Sequence, residues 1–76
     1  MTNEQFGAKI GVDFSLASRL RNGKRLPTLP QLWRISKAFK LPAKALVEAS
    51  TKGPEAFGKY LRTHIKGLAV ETDQIN

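Results

Sequence analysis

Apolar residues recur at three- and four-residue intervals in several short stretches of the chain, and this spacing predicts helices. In the first stretch Phe6 and Ile10 share one face, while Thr2 and Gln5 have the spacing of a capping box. Gly11 follows as the residue able to adopt the left-handed conformation that ends a helix. The pattern therefore predicts a first helix of about two turns.

A second helix is predicted over residues 14–22. Asp13 is its expected N-cap, because an Asp side chain accepts hydrogen bonds from the free amides of a first turn. Val12 and Ala17 occupy the two positions of a hydrophobic staple. The Asn-Gly pair at residues 22–23 is a turn signal that ends the helix.

Three further helices follow from the same pattern. The third begins at the Thr28 capping box, and we expect its buried stripe to consist of Leu29, Leu32, Ile35 and Phe39, with Trp33 beside it in the core. A short fourth helix begins near Pro42, and a fifth follows the Gly-Pro break at residues 53–54, with an apolar stripe of Phe57, Leu61 and Ile65. The predicted fold is all-α, a small bundle of about five short helices, with one domain over residues 1–67 and a flexible tail over residues 68–76.

Charge adds a candidate partner to this picture. The chain has 76 residues and a net charge of +7. No Asp or Glu lies between Phe14 and Val47, whereas eight basic residues do: Arg19, Arg21, Lys24, Arg25, Arg34, Lys37, Lys40 and Lys44. A field of one sign attracts polyanions, nucleic acid first and an anionic membrane surface second, although a solvated basic surface is common in small proteins.

Other features exclude several classes of protein. There is no Cys, which excludes a disulfide framework and a Cys-based metal site. The chain has no apolar run of membrane-spanning length, and its first residues do not resemble a signal peptide, so we expect a cytoplasmic protein without a membrane partner. His64 has no neighbouring acid, and Glu48 and Glu55 are isolated in the sequence. We therefore expect no enzyme activity, metal, cofactor or small-molecule substrate.

Two short helices joined by a tight turn are typical of a helix-turn-helix. Residues 2–46 resemble the phage repressor and Cro type of helix-turn-helix domain. The resemblance rests on Gly7 at the helix crossing, Gly11 in the turn, and the run from Ser18 to Leu41, "SRLRNGKRLPTLPQLWRISKAFKL". It implies a lambda-repressor-like fold in which the second helix lies in the major groove of double-stranded DNA.

The resemblance also implies which residues contact DNA. We expect base contacts from the outer face of the second helix, namely from Phe14, Ser15, Ser18 and Arg19. Backbone contacts are expected at the helix exit and at the start of the first helix, from Thr2, Asn3, Asn22, Gly23, Lys24 and Arg25. Phe14 has two interpretations, contact with a thymine methyl or shielding of the helix N-terminus.

The sequence departs from the family at two points. The family domain begins with a helix before the segment that starts here at Thr2, and an acid that pairs with that helix is replaced here by Arg21. We therefore expect the helix after Gly53 to fold back and cover the core, either where the family's first helix lies or against the third and fourth helices. The alternative is a dimerisation arm, with a partner chain covering the core.

These observations favour a sequence-specific DNA-binding transcriptional regulator, located on the nucleoid of a bacterial cell when bound. One alternative is a DNA-binding antitoxin or accessory protein that acts mainly through a protein partner. A second is a non-specific RNA binder, which the paucity of exposed aromatic residues disfavours. There is weak support for a homodimer that forms on a palindromic site. It comes from apolar residues without an obvious core role, Leu16, Tyr60 and Leu68.

Overall fold

The computed structural model describes residues 1–69, and this part of the chain forms five α-helices and no strand. In chain order they are α1 (Asn3–Ile10), α2 (Phe14–Arg21), α3 (Leu29–Phe39), α4 (Ala43–Thr51) and α5 (Pro54–His64). The prediction of an all-α bundle of about five short helices is confirmed.

The helix starts follow from local side-chain chemistry. At α1 the Thr2 hydroxyl accepts from the Gln5 amide at 3.1 Å, and the Gln5 side chain accepts from the Thr2 amide at 2.9 Å. The same reciprocal pair occurs at the start of α3, and Asp13 accepts from the Leu16 amide at 2.8 Å to cap α2. These bonds satisfy amides that have no acceptor within their own helix, so all three predicted caps are confirmed.

One apolar core joins all five helices. Its buried members are Phe6, Ile10, Ala17, Leu20, Leu32, Ile35, Leu46, Ala49, Phe57, Leu61, Ile65 and Leu68. α1 contacts α2 and α3, α3 contacts α4, and α5 contacts both α4 and α2. The core therefore lies between the helix-turn-helix on one side and the C-terminal helices on the other.

The fifth helix folds back onto the rest of the chain, as predicted. Phe57 and Leu61 are fully buried, which a free dimerisation arm would not allow. Two positions were expected for this helix, the place of the family's first helix or a site against α3 and α4. The helix packs against α4 and α2, so the contact with α4 is as expected and the contact with α2 was not predicted. Two glycines, Gly23 after α2 and Gly58 on α5, permit this contact because neither carries a Cβ that would separate the backbones.

Two residues of the predicted α3 stripe lie outside the core. Leu29 is 62% exposed and Trp33 is 53% exposed, so the prediction that both are buried is wrong. Leu32 and Ile35 are buried and Phe39 packs partly against the core, which places the centre of the apolar face on these three residues. Leu29 and Trp33 lie to one side of that face, where no other helix covers them within the described residues.

The C-terminal end of the domain also differs from the prediction. Leu68, assigned to the tail, is fully buried, and its amide donates to the Ile65 carbonyl at 3.1 Å. Leu16 and Tyr60 pack partly against the core. None of these three residues is therefore spare apolar surface, and residues 70–76 of the predicted tail lie outside the described part of the chain.

Candidate nucleic-acid interface

The turn between α1 and α2 depends on close backbone packing. Gly11 has φ 74°, and its amide donates to the Gly7 carbonyl to end α1. A Cβ on Gly7 would lie 2.5 Å from the Val12 carbonyl oxygen, a distance that real Cβ atoms do not reach. The small residue expected at the helix crossing is thus required by the backbone of the turn itself.

The four residues predicted to contact bases lie on the outer part of α2. Phe14 is 60% exposed, Arg19 is exposed, and Ser15 and Ser18 are half-buried. On the inner face Ala17 and Leu20 are fully buried, as expected. The helix therefore presents one aromatic ring, two hydroxyl-bearing residues and one guanidinium group away from the core.

The exit of α2 supplies exposed cations and a local cap. Lys24 and Arg25 are exposed. The Asn22 side-chain amide donates to the Ser18 carbonyl at 2.9 Å and to the Ser18 hydroxyl at 3.3 Å, which closes the end of the helix.

Gly23 does not fit the predicted backbone contact. It is buried, its amide donates to the Leu20 carbonyl at 3.4 Å, and a Cβ there would lie 2.9 Å from the Glu55 Cα. The N-terminus of α5 covers the residue, so its amide is turned into the protein rather than toward a ligand.

The start of α1 is linked to the end of α2 by a residue that the sequence interpretation did not include in the site. The Arg21 side chain is fully buried and donates through Nη1 to the Asn3 Oδ1 at 3.0 Å. Its Nε donates to the Leu68 carbonyl at 2.9 Å. The two regions predicted to contact the DNA backbone, one at Thr2 and Asn3 and one after Arg21, are therefore held together. The only sequence signal was the replacement of the family's acid, and it did not indicate burial.

Most of the basic block is available to a polyanion. Of its eight basic residues only Arg21 is buried, and the other seven are exposed: Arg19, Lys24, Arg25, Arg34, Lys37, Lys40 and Lys44. Arg34 lies over the α1–α2 turn, since a Cβ on Gly11 would be 3.3 Å from its Nη1. Cations thus lie on α2, on its exit, on α3 and on α4, without an intervening acid.

A shallow groove of about 340 Å³ lies between α4 and α5, and its lining includes Ala45, Ala49, Tyr60 and His64. His64 is exposed, as expected, and its ring lies 4.0 Å from that of Tyr60. Within residues 1–69 no three His, Asp or Glu side chains are grouped so as to hold a metal ion. No helix in this range is long and apolar enough to cross a membrane.

Comparison with known proteins points to the same part of the chain. A family model described as helix-turn-helix matches residues 1–46, which is 46 of the 76 residues. No curated protein and no solved structure matches the chain significantly. The matched range contains α1, α2 and α3 and ends within α4.

Proposed function

Because the chain belongs to the helix-turn-helix family of the phage repressor and Cro type, whose members are DNA-binding regulators of transcription, we propose that it recognises a specific double-stranded DNA sequence. In this proposal it acts as a repressor of the Cro kind, on the nucleoid of a bacterial cell, with α2 in the major groove. The observation that carries the proposal is the outer face of α2, where Phe14 and Arg19 are exposed in a stretch of the sequence that has exposed cations and no acid between Phe14 and Val47.

Arg19 is the main base-reading residue in this proposal. Its guanidinium group can donate two parallel hydrogen bonds to O6 and N7 of a guanine, which no other base offers in that arrangement. Ser15 and Ser18 can donate or accept and so discriminate less. Phe14 is apolar and exposed at the first position of α2, which suits contact with a thymine methyl.

The backbone contacts position the protein without reading sequence. Lys24 and Arg25 carry their charge at the exit of α2, and Thr2 and Asn3 lie at the N-terminus of α1, where the helix dipole favours an anion. Asn22 contributes in this proposal mainly by capping α2 beside the phosphates.

A DNA-binding accessory protein or antitoxin is a second candidate, and one observation favours it. Leu29 and Trp33 are one helical turn apart on α3 and both are more than half exposed, which forms an apolar surface suited to a protein contact. The same surface would serve a weak homodimer on a palindromic site. Sedimentation of the protein with and without DNA distinguishes a dimer that forms only on DNA from a dimer that is present in both samples.

Two substitutions distinguish base reading from positioning. A preferred duplex is first obtained by selection from a random pool. Arg19→Ala is expected to cost roughly 1–3 kcal/mol on that duplex and to relax one base position. Lys24→Ala is expected to weaken binding to preferred and random duplexes alike and to make the slope of log affinity against log salt shallower by about 1.

Binding is measured by fluorescence anisotropy over a salt series, and each variant is selected again on the random pool. If Lys24→Ala alters the selected motif while Arg19→Ala leaves it intact, α2 does not lie in the groove as proposed. An affinity for duplex DNA that does not change with salt contradicts the phosphate contacts.

A further inference from the structure

The C-terminal end of α2 is completed by a residue of α5. A helix leaves its last four carbonyls without partners in the helix, and in α2 these belong to Ser18, Arg19, Leu20 and Arg21. The first three accept from backbone amides of the exit turn, at 2.9, 2.8 and 3.4 Å. The fourth, the Arg21 carbonyl, accepts from Nη1 of Arg62 at 2.6 Å.

Arg62 is well suited to this place. It is half-buried on α5, and a cation at the C-terminus of a helix interacts favourably with the carbonyl dipoles. A hydrogen bond from a charged donor is also stronger than one between neutral groups. The bond joins residues 41 positions apart, so it depends on the fold-back of α5.

Close backbone packing also holds α5 against the exit of α2. A Cβ on Gly58 would lie 2.6 Å from the Gly23 amide nitrogen and 2.8 Å from its Cα. Gly58 and Arg62 are one turn apart on α5 and therefore share a face, which lies against the exit of α2. The exposed cations Lys24 and Arg25 begin directly after this contact.

We infer that Arg62 is a positioning residue for DNA recognition, and that α5, outside the matched residues 1–46, sets the orientation of the DNA-reading helix. This inference rests on the proposed role of α2. Paired hydrogen bonds to a base edge require the donor to be held within about 0.5 Å, whereas a phosphate contact tolerates more displacement. Loss of the Arg62 bond leaves the Arg21 carbonyl without this donor and loosens the end of α2, and it therefore impairs base reading more than general affinity.

The test compares Arg62→Met with Lys59→Met. Both remove one positive charge from α5, but Lys59 is exposed, and within residues 1–69 no side-chain hydrogen bond joins it to α2. The readout is the ratio of affinities for the preferred duplex and for a scrambled duplex, below the thermal transition of each variant. Arg62→Met is expected to lower this ratio by about tenfold, as the loss of one charge-assisted hydrogen bond implies. Lys59→Met lowers both affinities together and leaves the ratio unchanged.

Two more variants complete the experiment. Arg62→Lys keeps a charged donor and is expected to restore most of the ratio. Arg62→Gln removes the guanidinium group and its charge, and it replaces Arg62→Met if the latter does not fold. A folded Arg62→Met or Arg62→Gln protein whose ratio equals that of Lys59→Met overturns the inference while leaving the proposed function intact. A wild-type protein without a preferred duplex overturns both.

Discussion

Arg21 shows how the identity of a single residue can be misleading without its three-dimensional neighbours. Isolated burial of a charged side chain is costly, and an Arg in a basic stretch is expected to be in solvent. Here the side chain is fully buried and donates to the Leu68 carbonyl, which lies 47 positions later in the chain. No local pattern could indicate such a partner. The sequence therefore showed that Arg21 replaces the family's acid, but it did not indicate that Arg21 is buried and bonded to the end of the domain.

Trp33 is a second residue for which residue type and position on the helix lead to different predictions of burial. Aromatic residues dominate small cores, which is why the sequence predicted burial. Successive residues on a helix are rotated by about 100°, so Trp33 lies to the side of Leu32. The packing of α1 and α4 against α3 leaves Trp33 53% exposed.

This exposure predicts the energetic effect of removing the indole. Trp33→Ser is expected to lower the free energy of unfolding by less than about 2 kcal/mol, because more than half of the side chain is already in solvent. Phe57→Ala, a matched loss of a fully buried aromatic ring, is expected to cost about 3–5 kcal/mol. Urea unfolding followed by circular dichroism measures both. Equal costs for the two variants would mean that Trp33 belongs to the core.

At the scale of the elements, helix boundaries were predictable because the caps are local. Thr2, Asp13 and Thr28 each accept from an amide three residues later, and such spacing is visible in the sequence. The packing of α5 was predictable only in part. Its apolar stripe indicated a buried helix, whereas its contact with α2 depends on Gly23 and Gly58, whose close approach no periodicity reveals.

The packing of α5 predicts that the helix-turn-helix does not fold without it. Truncation after Ser50 removes four fully or nearly fully buried side chains, those of Phe57, Leu61, Ile65 and Leu68. Each contributes roughly 1.5–3 kcal/mol of burial, and a domain of this size has a total stability of only about 5–15 kcal/mol. The truncated chain is therefore expected to lose its cooperative thermal transition, measured by calorimetry.

Leu61→Ala in the full chain is the milder version of the same test. It is expected to lower the free energy of unfolding by roughly 2–4 kcal/mol while keeping a cooperative transition. A truncated monomer that melts cooperatively near the temperature of the full chain would show that α5 is dispensable for the core.

At the scale of the whole molecule, the distribution of charge rather than its sum indicates the interface. Seven exposed cations between Arg19 and Lys44 extend over α2, α3 and α4. The sequence predicted this surface and the outer face of α2, because both depend on residue type and helical position. It did not predict the burial of Gly23 or the bond from Arg62, because both arise from a helix outside the matched family range.

The most direct measurement of the central proposal is methylation interference on the selected duplex. Dimethyl sulfate modifies guanine N7, which faces the major groove, and adenine N3, which faces the minor groove. If α2 reads bases in the major groove, methylation of guanine N7 within the site abolishes binding, and the Arg19→Ala protein no longer responds at one of those guanines. Binding that is blocked by adenine N3 methylation and unaffected at every guanine N7 would contradict the placement of α2 in the major groove.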